Sequence, residues 1–181
     1  DKAFSDFDIL IRTNSADPGD YSNMGNIYAL KAKDASQNGD EKEVTRLYNK
    51  SLEIYNKGLI LQPDNFEILL NQGITYTMMG NHKDAINNFL KAVKIKPGED
   101  YLYSNLAFEY LQIEDYDESI KYCNIQISKN PNDALIYFYR GTVYVNAGKY
   151  NEAISDFLKS TNLNPSNGNA WYNLSIAQST I

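Results

Sequence analysis

The sequence contains only one cysteine, Cys123, and only one histidine, His82. A single cysteine excludes a disulfide bond within the chain and leaves the redox compartment undetermined. A Ser-His-Asp or Cys-His catalytic group would have to use His82, and nothing around His82 in the sequence indicates one. Clusters of histidine and cysteine at metal-ligand spacing are absent, as is a glycine-rich phosphate-binding loop. We therefore expect no catalytic residue, no metal, no cofactor and no enzymatic activity.

Positive charge and long apolar runs are also scarce. The 181 residues include 17 Lys and Arg against 23 Asp and Glu, which gives a formal net charge of −6. Because nucleic-acid binding needs clustered basic residues, we expect no nucleic-acid partner. No apolar run approaches the roughly 20 residues of a membrane span, and the first residues lack the layout of a signal peptide. The sequence predicts a soluble chain without a transmembrane segment, in an unknown compartment.

Prolines are few, but four of the five recur at a fixed interval. Pro63, Pro97, Pro131 and Pro165 stand 34 residues apart. A period of this size is typical of stacked copies of one small unit that cannot bury its apolar face alone. Aligning the prolines divides the chain into repeats 18–64, 65–99, 100–133 and 134–167 and a partial repeat or cap, 168–181.

Several other columns recur in the same register. The first half of each repeat has a large residue, then a small residue, then a tyrosine: Leu69, Tyr103, Tyr137 and Trp171; Gly73, Ala107, Gly141 and Ser175; Tyr76, Tyr110 and Tyr144. The second half has a small residue followed by a core residue: Ala85, Ser119 and Ala153; Phe89, Cys123 and Phe157. Spacings of three and four put these residues on one face of a helix, and proline ends the second helix. Each repeat is therefore predicted to be a helix–turn–helix hairpin, with Cys123 as a buried thiol.

This pattern resembles the tetratricopeptide repeat, W-x2-L-G-x2-Y…A-x3-F…P. The segments WYNLS at 171–175 and AISDFLKSTNLNP at 153–165 are close to it, and the resemblance covers essentially the whole chain. It implies an all-α fold, a right-handed α-α superhelix (solenoid) of stacked hairpins. Gln72 and Arg140 replace residues that are usually apolar, and Gln126 stands in a column of small residues. We expect local repacking there and no change of fold.

The two ends and the first full repeat depart from the regular length. Residues 1–17 match the second helix of a preceding partial repeat, so we expect a piece of a longer array; capping helices are the alternative. Repeat 18–64 is 13 residues longer than the others. Both of its helices are predicted to be about two turns longer, which extends the hairpin by ~10 Å. The extension would contact a partner or a second subunit, or it is an insertion without a role.

The resemblance implies that the first helix of each repeat lines a concave groove. The sixth position of the repeats reads Asn23, Asn71, Asn105, Tyr139 and Asn173, and Asn26 is expected on the same face. An amide side chain both donates and accepts a hydrogen bond, so a row of asparagines would hold the backbone of an extended peptide. The alternative is that asparagine, which is common in this column of the family, serves packing or solubility.

The other predicted groove residues are apolar. They are Leu70, Ile74, Met78, Tyr101, Phe108, Leu111, Phe138 and Tyr172. Exposed apolar patches usually mark interaction sites, and aromatic side chains are favoured anchors in them. Alternatively, neighbouring helices cover some of these side chains.

Together these features predict a non-catalytic protein-interaction module that binds an apolar or aromatic segment of another protein, as an extended peptide or as a helix. The groove columns contain no Lys or Arg, so we expect no clamp for a C-terminal carboxylate of the kind that chaperone-binding members of the family use. The alternatives are a self-assembling scaffold that forms homo-oligomers, and a regulatory array of a larger multidomain protein.

Overall fold

A computed structural model describes residues 16–181, which form nine α-helices and no strand. The helices are α1 (Pro18–Gln37), α2 (Glu41–Leu61), α3 (Phe66–Met78), α4 (His82–Ile95), α5 (Asp100–Gln112), α6 (Tyr116–Lys129), α7 (Ala134–Asn146), α8 (Tyr150–Leu163) and α9 (Gly168–Ser179). The predicted all-α class of helical hairpins is confirmed. The partial repeat predicted for 1–17 lies almost entirely outside the described residues. None of these nine helices is long and apolar enough to cross a membrane.

The chain divides into two compact units, which meet in sequence at Pro97 and Gly98. The first described unit contains α1 to α4 and the second contains α5 to α9. In the three regular hairpins the first helix has 13 residues and the second has 14. Helices α1 and α2 have 20 and 21 residues, so each is longer by about two turns.

Short polar side chains begin most of the helices. In six helices the N-cap side chain accepts a hydrogen bond from a first-turn backbone N–H: Asp17, Asp40, Asn65, Asp115, Asp133 and Asn167. Asp115 accepts from the N–H of Glu118, so the acidic stretch 114–118 caps α6. Such a cap satisfies one of the N–H groups that a helix leaves without an internal partner.

A left-handed backbone residue links the two helices of each hairpin. Gly39, Gly80 and Gly148 have φ angles of 73°, 72° and 71°. In repeat 100–133 the corresponding residue is Glu114, with φ 59°. The left-handed conformation costs a residue with a Cβ atom about 1 kcal/mol. The backbone of this turn is therefore more strained than that of the three turns with glycine.

In three of the four described hairpins, a glycine of the first helix faces an aromatic ring of the second helix. A Cβ atom on Gly73 would lie 2.6 Å from Cε1 of Phe89, and one on Gly141 would lie 2.7 Å from Cε1 of Phe157. Gly25 meets the ring of Tyr55 in the same way. Because these rings are fully buried, they leave no room for a methyl group on the opposite helix.

Repeat 100–133 lacks this pair of a glycine and an aromatic ring. Ala107 stands in the glycine column and Cys123 in the aromatic column. Cys123 is buried, as predicted, and burial raises the pKa of its thiol from 9 to about 12. The thiolate is the reactive form of cysteine, so this side chain is chemically inert near neutral pH. The smaller thiol leaves room for the methyl group of Ala107.

The polar residues that depart from the family pattern all have polar partners. Gln72 Nε2 donates to Asn56 Oδ1 at 2.8 Å. Gln126 Nε2 donates to the carbonyl oxygen of Asp100 at 3.2 Å and also to the Ser104 hydroxyl. The fold is therefore unchanged at these positions because each buried donor is satisfied.

Tyr55 carries a buried polar group of a different kind. Within the described part of the chain its hydroxyl has no hydrogen-bond partner. The nearby hydroxyls of Ser51 and Thr75 donate their own protons to the carbonyl oxygens of Gly25 and Asn71. Burial raises the pKa of Tyr55 from 10 to about 12, although those two hydroxyls act in the opposite direction.

Replacing Tyr55 by phenylalanine is expected to raise the free energy of unfolding by about 1 kcal/mol at pH 7. The change removes a buried hydroxyl that lacks a hydrogen bond, and such a group destabilises the folded state. Phe89 and Phe157 already fill the same repeat column. Urea unfolding followed by circular dichroism measures the difference, and a variant that is less stable than the wild type would contradict it.

The difference in the free energy of unfolding between the wild type and the phenylalanine variant should grow in alkaline solution. The Tyr55 hydroxyl ionises near pH 10 in the unfolded chain and near pH 12 in the folded chain. The unfolded state therefore releases its proton first, and this costs stability as the pH rises from 10 to 12. At pH 11 the advantage of the phenylalanine variant should be larger than at pH 7 by about 1 kcal/mol.

Candidate protein-interaction surface

In the first unit, the predicted groove residues lie on α1 and α3. Asn23 and Asn26 are exposed, as are Ile74 and Met78; Leu70 and Asn71 are half-buried. The Asn71 amide lies 3.4 Å from the Ser22 hydroxyl, to which it donates a weak hydrogen bond. The two helices therefore present two exposed asparagines on α1 and two exposed apolar side chains on α3.

In the second unit, the predicted residues lie on α5, α7 and α9. Tyr101, Phe108, Tyr139 and Tyr172 are exposed, and Asn105, Leu111, Phe138 and Asn173 are half-buried. The exposed fraction is 48% for Phe108, 52% for Tyr139 and 67% for Tyr172. Each of the three first helices of this unit thus carries a large exposed aromatic side chain.

Phe138 differs from the others because it also belongs to the core. Its ring lies 6.0 Å from that of Phe157 and packs against the cluster that includes Leu174. It also contacts the ring of Tyr139 at 5.8 Å between centroids. Phe138 therefore anchors the helix that presents Tyr139.

Four of the predicted residues come together around a pocket in the second unit. Asn105, Phe108 and Leu111 of α5 and Tyr139 of α7 line a cavity of about 340 Å³. Its remaining walls include Val143 and Thr142 of α7, with Ala107 and Cys123. The sequence analysis did not assign the other lining residues to a site, and the available signal was the cysteine in an aromatic column. They are Ser104, Ala107, Cys123, Gln126, Thr142 and Val143.

The pocket is uncharged. Of the described residues, none that lines it is Asp, Glu, Lys or Arg. Arg140, the residue after Tyr139 on α7, directs its guanidinium to the Asp156 carboxylate, with two contacts of 2.7 Å. The Asp156 carboxylate holds the pKa of Arg140 above its ordinary value, chiefly through these hydrogen bonds. The arrangement suits an apolar ligand group, because a charged one would lose hydration without gaining a partner.

Models of the tetratricopeptide repeat match residues 47–87, 101–133 and 134–167, together more than half of the chain. The chain belongs to the tetratricopeptide-repeat family. This confirms the resemblance that the repeat columns indicate.

Relatives and solved structures show the same fold. The DnaJ homolog subfamily C member 7 homolog of Dictyostelium discoideum is 27% identical over 111 residues, which are 59% of this chain and 21% of that protein. The chain spans about a fifth of the length of the curated relatives it matches. The crystal structure of MamA has a TM-score of 0.68 at 27% identity, covering 78% of this chain and 83% of the other. YrrB, described as a tetratricopeptide-repeat protein with an unusual peptide-binding site, has a TM-score of 0.71 at 24% identity, covering 96% and 82%.

Proposed function

We propose that this tetratricopeptide-repeat chain is a protein-interaction module that binds an apolar or aromatic segment of another protein. The observation that carries the proposal is the series of exposed aromatic side chains on successive first helices of the second unit: Phe108, Tyr139 and Tyr172. These three residues stand at the ninth, sixth and fifth positions of their repeats, and positions three or four apart share one side of a helix. Because successive repeats stack, we infer that the three side chains form one surface, which we call the aromatic face.

The aromatic face has the composition of a binding surface. Aromatic side chains bury a large area with few rotatable bonds, and they are the commonest energetic anchors at protein interfaces. The helices beneath are held by a packed core, as the contact of Phe138 with Phe157 shows for α7. A rigid surface leaves most of the ordering entropy to the partner segment, which favours binding.

Polar groups near the aromatic face would orient a bound segment. Asn105 lies at the pocket and Asn173 is half-buried on α9. Their amides would pair with the backbone N–H and C=O groups of an extended segment. Tyr139 stands between them in the asparagine column. At this point the surface would therefore recognise a side chain of the segment and not its backbone.

Selection from a random peptide library tests the proposal without a known partner. Peptides selected by the wild type should be rich in apolar and aromatic residues. A Phe108→Ser/Tyr139→Asn/Tyr172→Ser variant should bind them at least tenfold more weakly. The matched control is Leu158→Ser, which removes an exposed apolar side chain from a second helix of the same unit. Equal affinity for all three proteins, or selection of charged peptides, would reject the proposal.

Self-association is the competing proposal. Helix α9 exposes Trp171 and Ile176 besides Tyr172, and such a face would also suit a second copy of the chain. Light scattering over a range of concentrations separates the two proposals, because a homo-oligomer changes its mass on dilution. A constant monomeric mass at high concentration would reject self-association.

A further inference from the structure

The pocket of the second unit lies where the other hairpins hold a buried ring. Tyr55, Phe89 and Phe157 occupy one repeat column, and each is fully buried against a glycine of the first helix. In repeat 100–133 that column holds Cys123, which lacks the ring, and the glycine column holds Ala107, which adds only one methyl group. Both residues line the pocket, so the pocket lies at the place that a ring fills in the other repeats.

The size and lining of the pocket suit a ring. Its volume is about 340 Å³, whereas an apolar cavity of about 150 Å³ already holds a benzene molecule. Leu111 and Val143 supply apolar walls, and the Gln126 amide is already engaged by Ser104. A buried water needs two to four polar partners, and these walls offer few, so an apolar group is favoured over water.

The pocket is also open to the surface. Phe108 and Tyr139, which line it, are about half exposed and belong to the aromatic face. A side chain of a segment lying on that face therefore reaches the pocket directly. Cys123 lines the pocket but is not a reactive group, because its burial raises the pKa of the thiol and so disfavours the thiolate.

We propose that this pocket receives one phenylalanine-like side chain of the bound partner segment, in the place that Phe89 and Phe157 fill in their own repeats. The inference rests on the proposed function and adds to it the chemistry of one anchor residue. A single deep anchor would set the register of the segment on the aromatic face. A charged side chain is disfavoured because the lining offers it no counter-charge.

Two capped amino acids are suitable probes for the pocket. N-acetylphenylalaninamide should produce saturable shifts of the methyl resonances of Leu111 and Val143 in NMR spectra, at millimolar concentration. N-acetylalaninamide, the matched control, should not shift them. The absence of a response to the phenylalanine probe up to its solubility limit would overturn the inference.

A variant that fills the pocket provides the second test. Ala107→Gly/Cys123→Phe rebuilds the glycine–phenylalanine pair of the neighbouring repeats, so it should fold and lose at least tenfold in affinity for the probe. Should this variant fail to fold, Tyr139→Asn removes one wall and should weaken probe binding several-fold. Unchanged probe binding in the folded variant would overturn the inference.

The peptides selected with the wild type separate this inference from the proposed function. If they lose at least tenfold in affinity for the filled variant, the anchor pocket is supported. If they bind the filled variant normally but not the variant of the aromatic face, the pocket inference fails while the proposed function stands. If no peptide is selected, the proposed function fails, and the probe titration still decides whether the pocket accepts a ring.

Discussion

Replacing Arg140 by leucine is expected to lower the free energy of unfolding by about 3 kcal/mol, the cost of breaking a buried ion pair by removing one partner. Arg140 Nε and Nη2 donate to the two oxygens of Asp156 at 2.7 Å each. The Asp156 side chain is 6% exposed. Leucine would leave this carboxylate buried without its counter-charge, although leucine is the more usual residue in the column.

The preceding repeat shows how the loss can be recovered. There the same two columns hold Leu106 and Tyr122, and the Tyr122 ring stacks between Tyr103 and Tyr110 at 6.3 and 5.6 Å. In repeat 134–167 the corresponding tyrosines are Tyr137 and Tyr144, and the Arg140 guanidinium lies 5.7 Å from both rings. The two tyrosine columns thus flank the phenol ring of Tyr122 in one repeat and the guanidinium of Arg140 in the next.

The double variant Arg140→Leu/Asp156→Tyr copies the preceding repeat and should recover most of the lost stability, since apolar replacements of buried ion pairs are often neutral. Asp156→Tyr alone completes a double-mutant cycle, measured by urea unfolding with circular dichroism. The coupling energy between the two positions should reach about 2 kcal/mol. Additive effects of the two substitutions would show that the columns are independent.

This coupling shows where sequence reasoning stops. The repeat columns identify the helices and their apolar faces because proline spacing and the three-and-four pattern are local properties. Arg140 is recognisable in the sequence as a departure, but its partner is not, because a column alignment does not say which columns touch. Only the structure shows that the columns of Arg140 and Asp156 meet across the hairpin.

The candidate surface is predictable to a similar extent. Phe108, Tyr139 and Tyr172 are exposed on their first helices. Phe138 stands in the same repeat position as Tyr172 but packs against Phe157, so the position alone does not decide which of these side chains meets the core. The pocket was not predictable. A cysteine in an aromatic column leaves a void only if its neighbours do not collapse into it, and that depends on the packing of the whole hairpin.

A substitution in the glycine column is also expected to have a large effect on stability. Gly73→Ala is expected to lower the free energy of unfolding by about 2 kcal/mol. The new methyl carbon would lie 2.6 Å from Cε1 and 2.9 Å from Cδ1 of Phe89, whose ring is fully buried and has no space to move. Overpacking of this kind costs up to about 3 kcal/mol, and the better helix propensity of alanine returns about 1 kcal/mol.

Two comparisons make this prediction specific to the ring. Ser175 occupies the same column on α9 and is exposed, so Ser175→Ala should leave stability within about 0.5 kcal/mol of the wild type. In a Phe89→Cys background the Gly73→Ala substitution recreates the pair Ala107 and Cys123 and should become neutral or stabilising, because the thiol leaves room for the methyl group. Thermal and urea unfolding of the wild type, Gly73→Ala, Phe89→Cys and the double variant give the sign of the effect in each background, and Ser175→Ala is measured beside them. If Gly73→Ala destabilises both backgrounds equally, contact with the ring is not the reason that this helix requires glycine.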